Sequence, residues 1–326
     1  MPDPKRNSSI FSFKKNQLRF LMLCCVFFIP VILAYAVVEI AVANIPNKFS
    51  IKQNYMETHA PEIETLVFGS SQIEKGINPA FLKAPAINLS SAGQHHNTDF
   101  EILKGVVDRF PNLKTVVFEV SYGHFELRHN SKYFWKHNIF LKYYHVNTFD
   151  RPTTPKDSLL FLAHPGKFSE ILLTHYVKDT VPDVYNKFGF DLNHYEGKFK
   201  KLSYDSTSIV KKPVKIYKRE DPKIFEHNSL YFYDMVEFCL NRGLNVVILS
   251  PPTFPNYNAL RNGEILKRRD SILQDIVRKY DHVYFLNTES DSDFKVEDFR
   301  NENHLNPKGA EKLTKKLNTF LKKLEE

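Results

Sequence analysis

The sequence predicts an α/β fold built on a doubly wound parallel sheet, preceded by one membrane-spanning helix and interrupted by a long insertion. Three observations predict it. Short apolar runs bounded by small or turn residues alternate with segments of helical apolar spacing, which is how parallel strands and their crossover helices read. Two polar stretches, Gly69-Ser70-Ser71 and Asn301-Glu302-Asn303-His304, fall directly after the first such run and just before the last helical segment. A nearly unbroken apolar stretch, Phe20 to Ala43, lies close to the first residue.

The first 19 residues are polar and carry Lys5, Arg6, Lys14, Lys15 and Arg19. Residues 20–43 are long enough to cross a hydrocarbon core of about 30 Å and too long for the apolar part of a cleaved signal peptide. They read as an uncleaved signal-anchor. Positive charge ahead of the span predicts a cytoplasmic N-terminus and a globular part in the periplasm or outside the cell. Residues 44–63, largely polar with Pro46 and Pro61, read as a juxtamembrane connector.

From residue 64 to 326 the chain alternates. Leu66 to Phe68 is the first strand and Ala86 to Leu89 the second. Asp99 to Phe110 has helical spacing through Phe100, Leu103, Val106, Val107 and Phe110, and Thr115 to Val120 is the third strand. After the insertion, about 123–222, Tyr231 to Leu240 reads as a helix ended by Arg242-Gly243. Asn245 to Ser250 is the fourth strand, closed by Pro251-Pro252. Leu266 to Tyr280 is a helix, His282 to Leu286 the fifth strand and Lys308 to Lys323 the closing helix. The alternation implies right-handed crossovers, and Ser70 and Ser71 follow the carboxyl end of the first strand, where sites form in open α/β sheets.

The three cysteines, Cys24, Cys25 and Cys239, offer no disulfide framework, two lying in the span and one on a core helix. No metal-ligand spacing is present; His95 and His96 are adjacent and read as polar loop residues. No motif calls for a cofactor. The insertion is rich in aromatics (Tyr133, Phe134, Trp135, Phe140, Tyr143, Tyr144, Phe149), looks helical from Ser158 to Tyr176 around Pro165, and is basic from Lys187 to Arg219. It reads as a cap, with its aromatics as a small core of their own or as a surface for sugars or the membrane interface. The formal net charge of +8 comes partly from this stretch and partly from the tail. Outside the cytoplasm it points to anionic glycan or lipid headgroups and away from nucleic acid.

A serine after the first strand and a histidine before the last helix meet only if the sheet brings them together, as a base-activated nucleophile requires. Here the sequence resembles the SGNH (GDSL-type) hydrolase and acyltransferase superfamily. Gly69-Ser70-Ser71 stands where the family has Gly-Asp-Ser. Ile87 to Gln94 stands for the block with an oxyanion glycine, and Asn301-Glu302-Asn303-His304-Leu305-Asn306-Pro307-Lys308-Gly309 for Asp-x-x-His with its Leu-Asn-x-x-Gly sequel. The resemblance implies a flavodoxin-like three-layer sandwich with Ser71 as nucleophile, His304 as base, and an oxyanion hole from the Ser71 N–H, Gly93 and a group near Ser121.

Two departures follow. The third strand runs into Ser121-Tyr122-Gly123-His124 in place of Gly-x-Asn-Asp, and Asn301 replaces the aspartate. An asparagine still orients the imidazole but does not stabilise an imidazolium as a carboxylate does; Glu302, Asp298 or Asp293 are the alternative acids. Gly93 also reads as a turn glycine and His304 as a loop residue. The resemblance implies O-acyl transfer or deacylation on an exported glycan or other cell-envelope polymer, beside a membrane-bound O-acyltransferase. A non-catalytic glycan-binding or accessory module, and a membrane-proximal lipase or thioesterase, are the alternatives.

Overall fold

The computed structural model describes residues 15–178 and 183–325. The chain divides into two units: residues 1–45 with 159–180, and 46–158 with 181–326. The expected tail, residues 1–19, falls mostly outside the described residues.

In the first unit, α1 (Lys15–Ala43) is one helix carrying Pro30 in its interior, and from Gln17 to Ala43 it is long and apolar enough to cross a bilayer. The region expected to be helical around Pro165 forms two helices, Leu160–Ala163 and Pro165–Tyr176, broken at His164 because the proline ring cannot continue the preceding turn. They belong with α1, so the insertion is not one continuous cap.

The second unit opens with α2 (Lys48–His59), where a polar connector was expected. Asn47 caps it, accepting from the Phe49 and Ser50 amides at 3.0 Å each, and Phe49, Tyr55 and Met56 are buried. The connector reading missed this because the apolar positions are few and spaced irregularly. The sheet follows as read: β1 (Thr65–Phe68), β2 (Ala86–Asn88), β3 (Thr115–Glu119), β4 (Asn245–Ser250) and β5 (Val283–Asn287), all parallel, in the order β2-β1-β3-β4-β5. The order reverses direction beside β1, which opens a crevice at the carboxyl ends of β1 and β3.

Two layers of helix cover this sheet because both strand faces are apolar. Val67, Val117, Val247 and Leu249 pack with Leu313 and Leu317 of the closing helix, Pro307–Glu325. The alternate residues Phe68 and Phe118 stack on each other, and Phe118 meets Phe232 of the Pro222–Leu240 helix. Cys239 is buried on that helix. Between β1 and β2 lies α3 (Ser71–Gly76), and between β2 and β3 lies α4 (His96–Val106).

Asp99 of α4 is fully buried; its Oδ1 accepts from Gln94 Nε2 at 2.6 Å, and its Oδ2 has no hydrogen-bond partner among the described residues. Burial, with a smaller contribution from Glu119, raises this carboxyl to about 8. The folded state therefore keeps a proton that the unfolded chain releases near its ordinary value of 3.8. Stability due to this group falls as pH rises between those two values. Asp99→Asn removes that dependence. The difference in thermal midpoint between variant and parent is expected to grow in the variant's favour from pH 4 to pH 8; a constant difference refutes the assignment.

Candidate active site

The turn after β1 is built around Ser70. Its Oγ accepts from the Gln72 amide at 3.3 Å, capping α3, and donates to Glu119 Oε1 at 3.0 Å, while its N–H donates to Glu119 Oε2 at 2.6 Å. Glu119 ends β3 and is completely buried. Burial raises its carboxyl above the ordinary value, against the hydrogen bonds from Ser70 and Ser121. Gly69 makes the approach possible: a Cβ there would meet Glu119 at 2.6 Å, and its φ of +150° lies where side chains strain the backbone. Glu119 thus fixes the turn that presents Ser71, and no sequence motif marks it. The only available signal was a lone carboxylate ending an otherwise apolar strand.

At the other end of the chain, β6 (Phe299–Asn301) and β7 (His304–Leu305) form an antiparallel hairpin that sequence reading treated as a loop. Its two-residue turn, Glu302-Asn303, sets Asn301 directly across from His304. An x-x spacing therefore becomes a cross-strand pair whose side chains touch. Asn306 then accepts from the amides of Lys308 and Gly309 at 3.0 and 3.1 Å and opens the closing helix. Gly309 leaves room for the Asp298 carbonyl, which would lie 2.2 Å from a Cβ.

These two constructions meet. Ser71 Oγ lies 2.8 Å from His304 Nε2, and His304 Nδ1 lies 3.0 Å from Asn301 Oδ1. Asn301 Oδ1 also accepts from the Asn303 amide at 3.2 Å, which assigns the amide's orientation from its network. An oxygen facing Nδ1 requires the proton on Nδ1, leaving Nε2 bare to accept from the serine hydroxyl. Burial, and then the positive charges of Lys75, Arg300 and His194, lower His304 to about 3, so the imidazole is neutral at any ordinary pH.

The three alternative acids are committed elsewhere. Glu302 is paired with Lys198, Asp298 with Lys312, and Asp293 with Lys316 at 2.6 Å. Lysines of neighbouring elements outbid the imidazole for each of them, so Asn301 is its sole side-chain partner besides Ser71 among the described residues. Ser121 stands beside the Glu119 carboxylate, where it opposes the rise that burial causes, and its hydroxyl approaches His124 Nδ1 at 3.4 Å. Gly93 sits at φ +74° in the turn closed by the Gln94 N–H donating to the Ser91 carbonyl at 2.9 Å. Its carbonyl accepts from Asn130 Nδ2 at 2.7 Å. The Ser71 and Gly93 amides have no protein acceptor among the described residues, whereas the Ala92 amide donates to Glu74 Oε2 at 3.1 Å.

Glu74, one turn beyond Ser71, binds α3 to its surroundings. Burial alone would raise its carboxyl; Lys48, Lys52 and Lys136 outweigh burial and hold it at about 2. Lys52 is itself fully buried, lowered to about 7 by burial, and donates to the Ser90 carbonyl at 3.2 Å. A cavity of about 260 Å³ opens beside these groups, lined among others by Lys75, Tyr185, Asp191, His194 and Leu305. The basic second part of the insertion thus contributes to the site. Phe199, from the same part, packs on Phe254 and Phe299 behind the hairpin. Phe140 and Tyr144 instead pack with Phe49 as a separate aromatic core, and Tyr133 is exposed.

His95 and His96, at the start of α4, are buried, contrary to the polar-loop reading; His124, in the turn after β3, is buried beside them, and the nitrogens of the three lie within 4.8 Å of one another. Both His95 nitrogens are engaged, with the His96 amide at 2.9 Å and the His124 carbonyl at 3.0 Å. The His96 and His124 rings stack in parallel, 4.2 Å apart and inclined by 1°. Their in-plane lone pairs run side by side instead of converging, so the trio suits a packed stack against Phe232 and not a cation. No protein-family model and no curated protein matches this sequence, and the reading of the site rests on its own geometry.

Proposed function

We propose that this chain is a membrane-anchored, SGNH-like serine enzyme of acyl esters, acting by O-acyl transfer or deacylation on an exported glycan or other cell-envelope polymer. The observation that carries the reading is the continuous hydrogen-bonded chain Ser71–His304–Asn301. As Ser71 Oγ adds to the acyl carbonyl, His304 Nε2 takes its proton. The oxyanion accepts from the Ser71 and Gly93 N–H groups, and one such donor is typically worth ~10²–10³ in rate. The imidazolium returns the proton to the departing alkoxide, leaving an acyl-serine. A second hydroxyl, from water or a sugar, loses its proton to His304, attacks the acyl carbon and frees Ser71.

The cavity favours a polar acceptor. Its charged and phenolic lining and its size, about 260 Å³, suit a hydroxyl-bearing unit better than a long acyl chain. α1 would hold the enzyme at the membrane with the N-terminus cytoplasmic, beside a membrane-bound O-acyltransferase that supplies acyl groups. Asn301 in place of a carboxylate favours a second reading, a non-catalytic accessory or glycan-binding module.

The test is exposure of the full chain in detergent to a fluorophosphonate, followed by intact mass and peptide mapping. A single adduct on Ser71, absent in Ser71→Ala, is expected. No adduct, with p-nitrophenyl acetate turnover equal in both proteins, supports the accessory module instead.

A further inference from the structure

The first unit carries a feature that an anchor alone does not need. Glu39 is the single acidic or basic residue between Phe20 and Ala43. Its carboxylate accepts from the backbone amides of Leu160 at 3.1 Å and Leu162 at 2.8 Å. These are amides at the N-terminal end of the Leu160–Ala163 helix, which no preceding turn satisfies. Tyr35 is in ring contact with Phe161 at 6.1 Å, and the Tyr176 hydroxyl donates to the Ala41 carbonyl at 3.2 Å.

Two lengths fix what this means. The twenty residues from Phe20 to Glu39 rise about 30 Å, the thickness of a hydrocarbon core, so Glu39 stands where the core ends if Phe20 stands where it begins. Tyr35 and Ala41 are separated by about 9 Å of helix axis. Both ends of the 160–176 segment touch α1 inside that interval. The Pro165–Tyr176 helix is about 18 Å long, so if it ran along α1 its end would lie far outside the interval. It therefore crosses α1 at one level, the level of Glu39.

The exposed apolar side chains on this segment are Leu162, Leu173, Tyr176 and Val177, the last two 56% and 73% exposed; Lys167, Glu170 and His175 are exposed as well. Lys167 and Lys178 flank them. Tyrosine and lysine at such a level are the residues of a headgroup boundary. A carboxylate at the edge of hydrocarbon is tolerated when backbone donors satisfy it.

We propose that residues 160–177 form an interfacial helix pair, lying in the plane of the phospholipid headgroups and pressing Leu173, Tyr176 and Val177 into the leaflet at the C-terminal end of α1. The partner is the phospholipid bilayer itself. The chain would hold the membrane at two points, a span and a crossbar, with Glu39 joining them. The proposal rests on α1 spanning the membrane.

The experiment is site-directed spin labelling of the full chain reconstituted in phosphatidylethanolamine–phosphatidylglycerol vesicles. Single cysteines are placed at Leu173, Val177 and Lys167 in a background lacking the native three. A fourth protein keeps only Cys25, which is exposed on α1. Collision with oxygen, which concentrates in lipid, is compared with collision with a water-soluble nickel chelate. Oxygen is expected to dominate at Leu173, Val177 and Cys25, and the nickel chelate at Lys167. Nickel dominance at Leu173 and Val177 with oxygen dominance at Cys25 overturns the crossbar and leaves the anchor standing. Nickel dominance at Cys25 overturns both.

Discussion

His304→Gln lowers p-nitrophenyl acetate turnover by roughly 10²–10⁴-fold, the range a positioned general base contributes, and slows fluorophosphonate labelling of Ser71 in step. The reason is geometric. Nε2 is the acceptor of the Ser71 proton at 2.8 Å, and the described residues offer Ser71 Oγ no second base. Glu74 lies one turn away on α3, but three lysines hold its carboxyl at about 2, where it is a poor base. The parent's rate also has a stated pH form. A base must be neutral to act, so activity falls as pH drops through the imidazole's own value. With His304 lowered to about 3 by burial and by Lys75, Arg300 and His194, no acid limb is expected between pH 5 and 8. A circular-dichroism melt within a few degrees of the parent separates loss of the base from loss of the hairpin. Turnover within about twofold of the parent, at any pH in that range, would mean that Ser71 is not activated by His304.

Much of this arrangement was legible in the sequence, for physical reasons that differ by element. The strands β1, β3 and β4 are buried on both faces and so read as unbroken apolar runs. Ser70 and Ser71 were visible because a run that ends in Gly-Ser-Ser must turn. The pairing of Ser71 with His304 crosses 233 positions, and nothing local encodes it; the resemblance to known sequence blocks supplied it. Glu119 stayed hidden because its role depends on β3 lying next to β1 in the same register, with Phe68 beside Phe118. The β6–β7 hairpin stayed hidden because each strand is too short for any periodicity to show. Within the insertion, the Leu160–Tyr176 stretch misled because its helices belong with α1 and not with the sheet, so composition suggested one continuous cap.

Asn301→Asp is the variant expected to raise activity. In the parent, Asn301 Oδ1 holds the Nδ1 proton in place at 3.0 Å but carries no charge, while Lys75 and Arg300 oppose any positive charge on the ring. The imidazolium that forms as Ser71 attacks is therefore destabilised, and a base held at about 3 takes up a serine proton reluctantly. A carboxylate of the same shape keeps both existing contacts, with His304 Nδ1 and with the Asn303 amide, and adds an attraction to the ring when it is charged. Asn301 is only partly buried, and Arg300 precedes it in the strand, which limits the desolvation cost of the new charge. Removing a carboxylate from a serine triad elsewhere costs about 10⁴ in turnover. Because this hairpin is shaped around an amide, a gain on the order of 10–10² is expected, smaller than that full effect. The acid limb should move upward with it, from about 3 towards neutrality, since the same charge that stabilises the transition state raises the imidazole. The two shifts must occur together. A higher limb without a faster rate would mean that base strength does not limit turnover. A slower rate would mean that the amide itself is needed, which fits a module that binds its ligand through Asn301 better than an enzyme with a weakened triad.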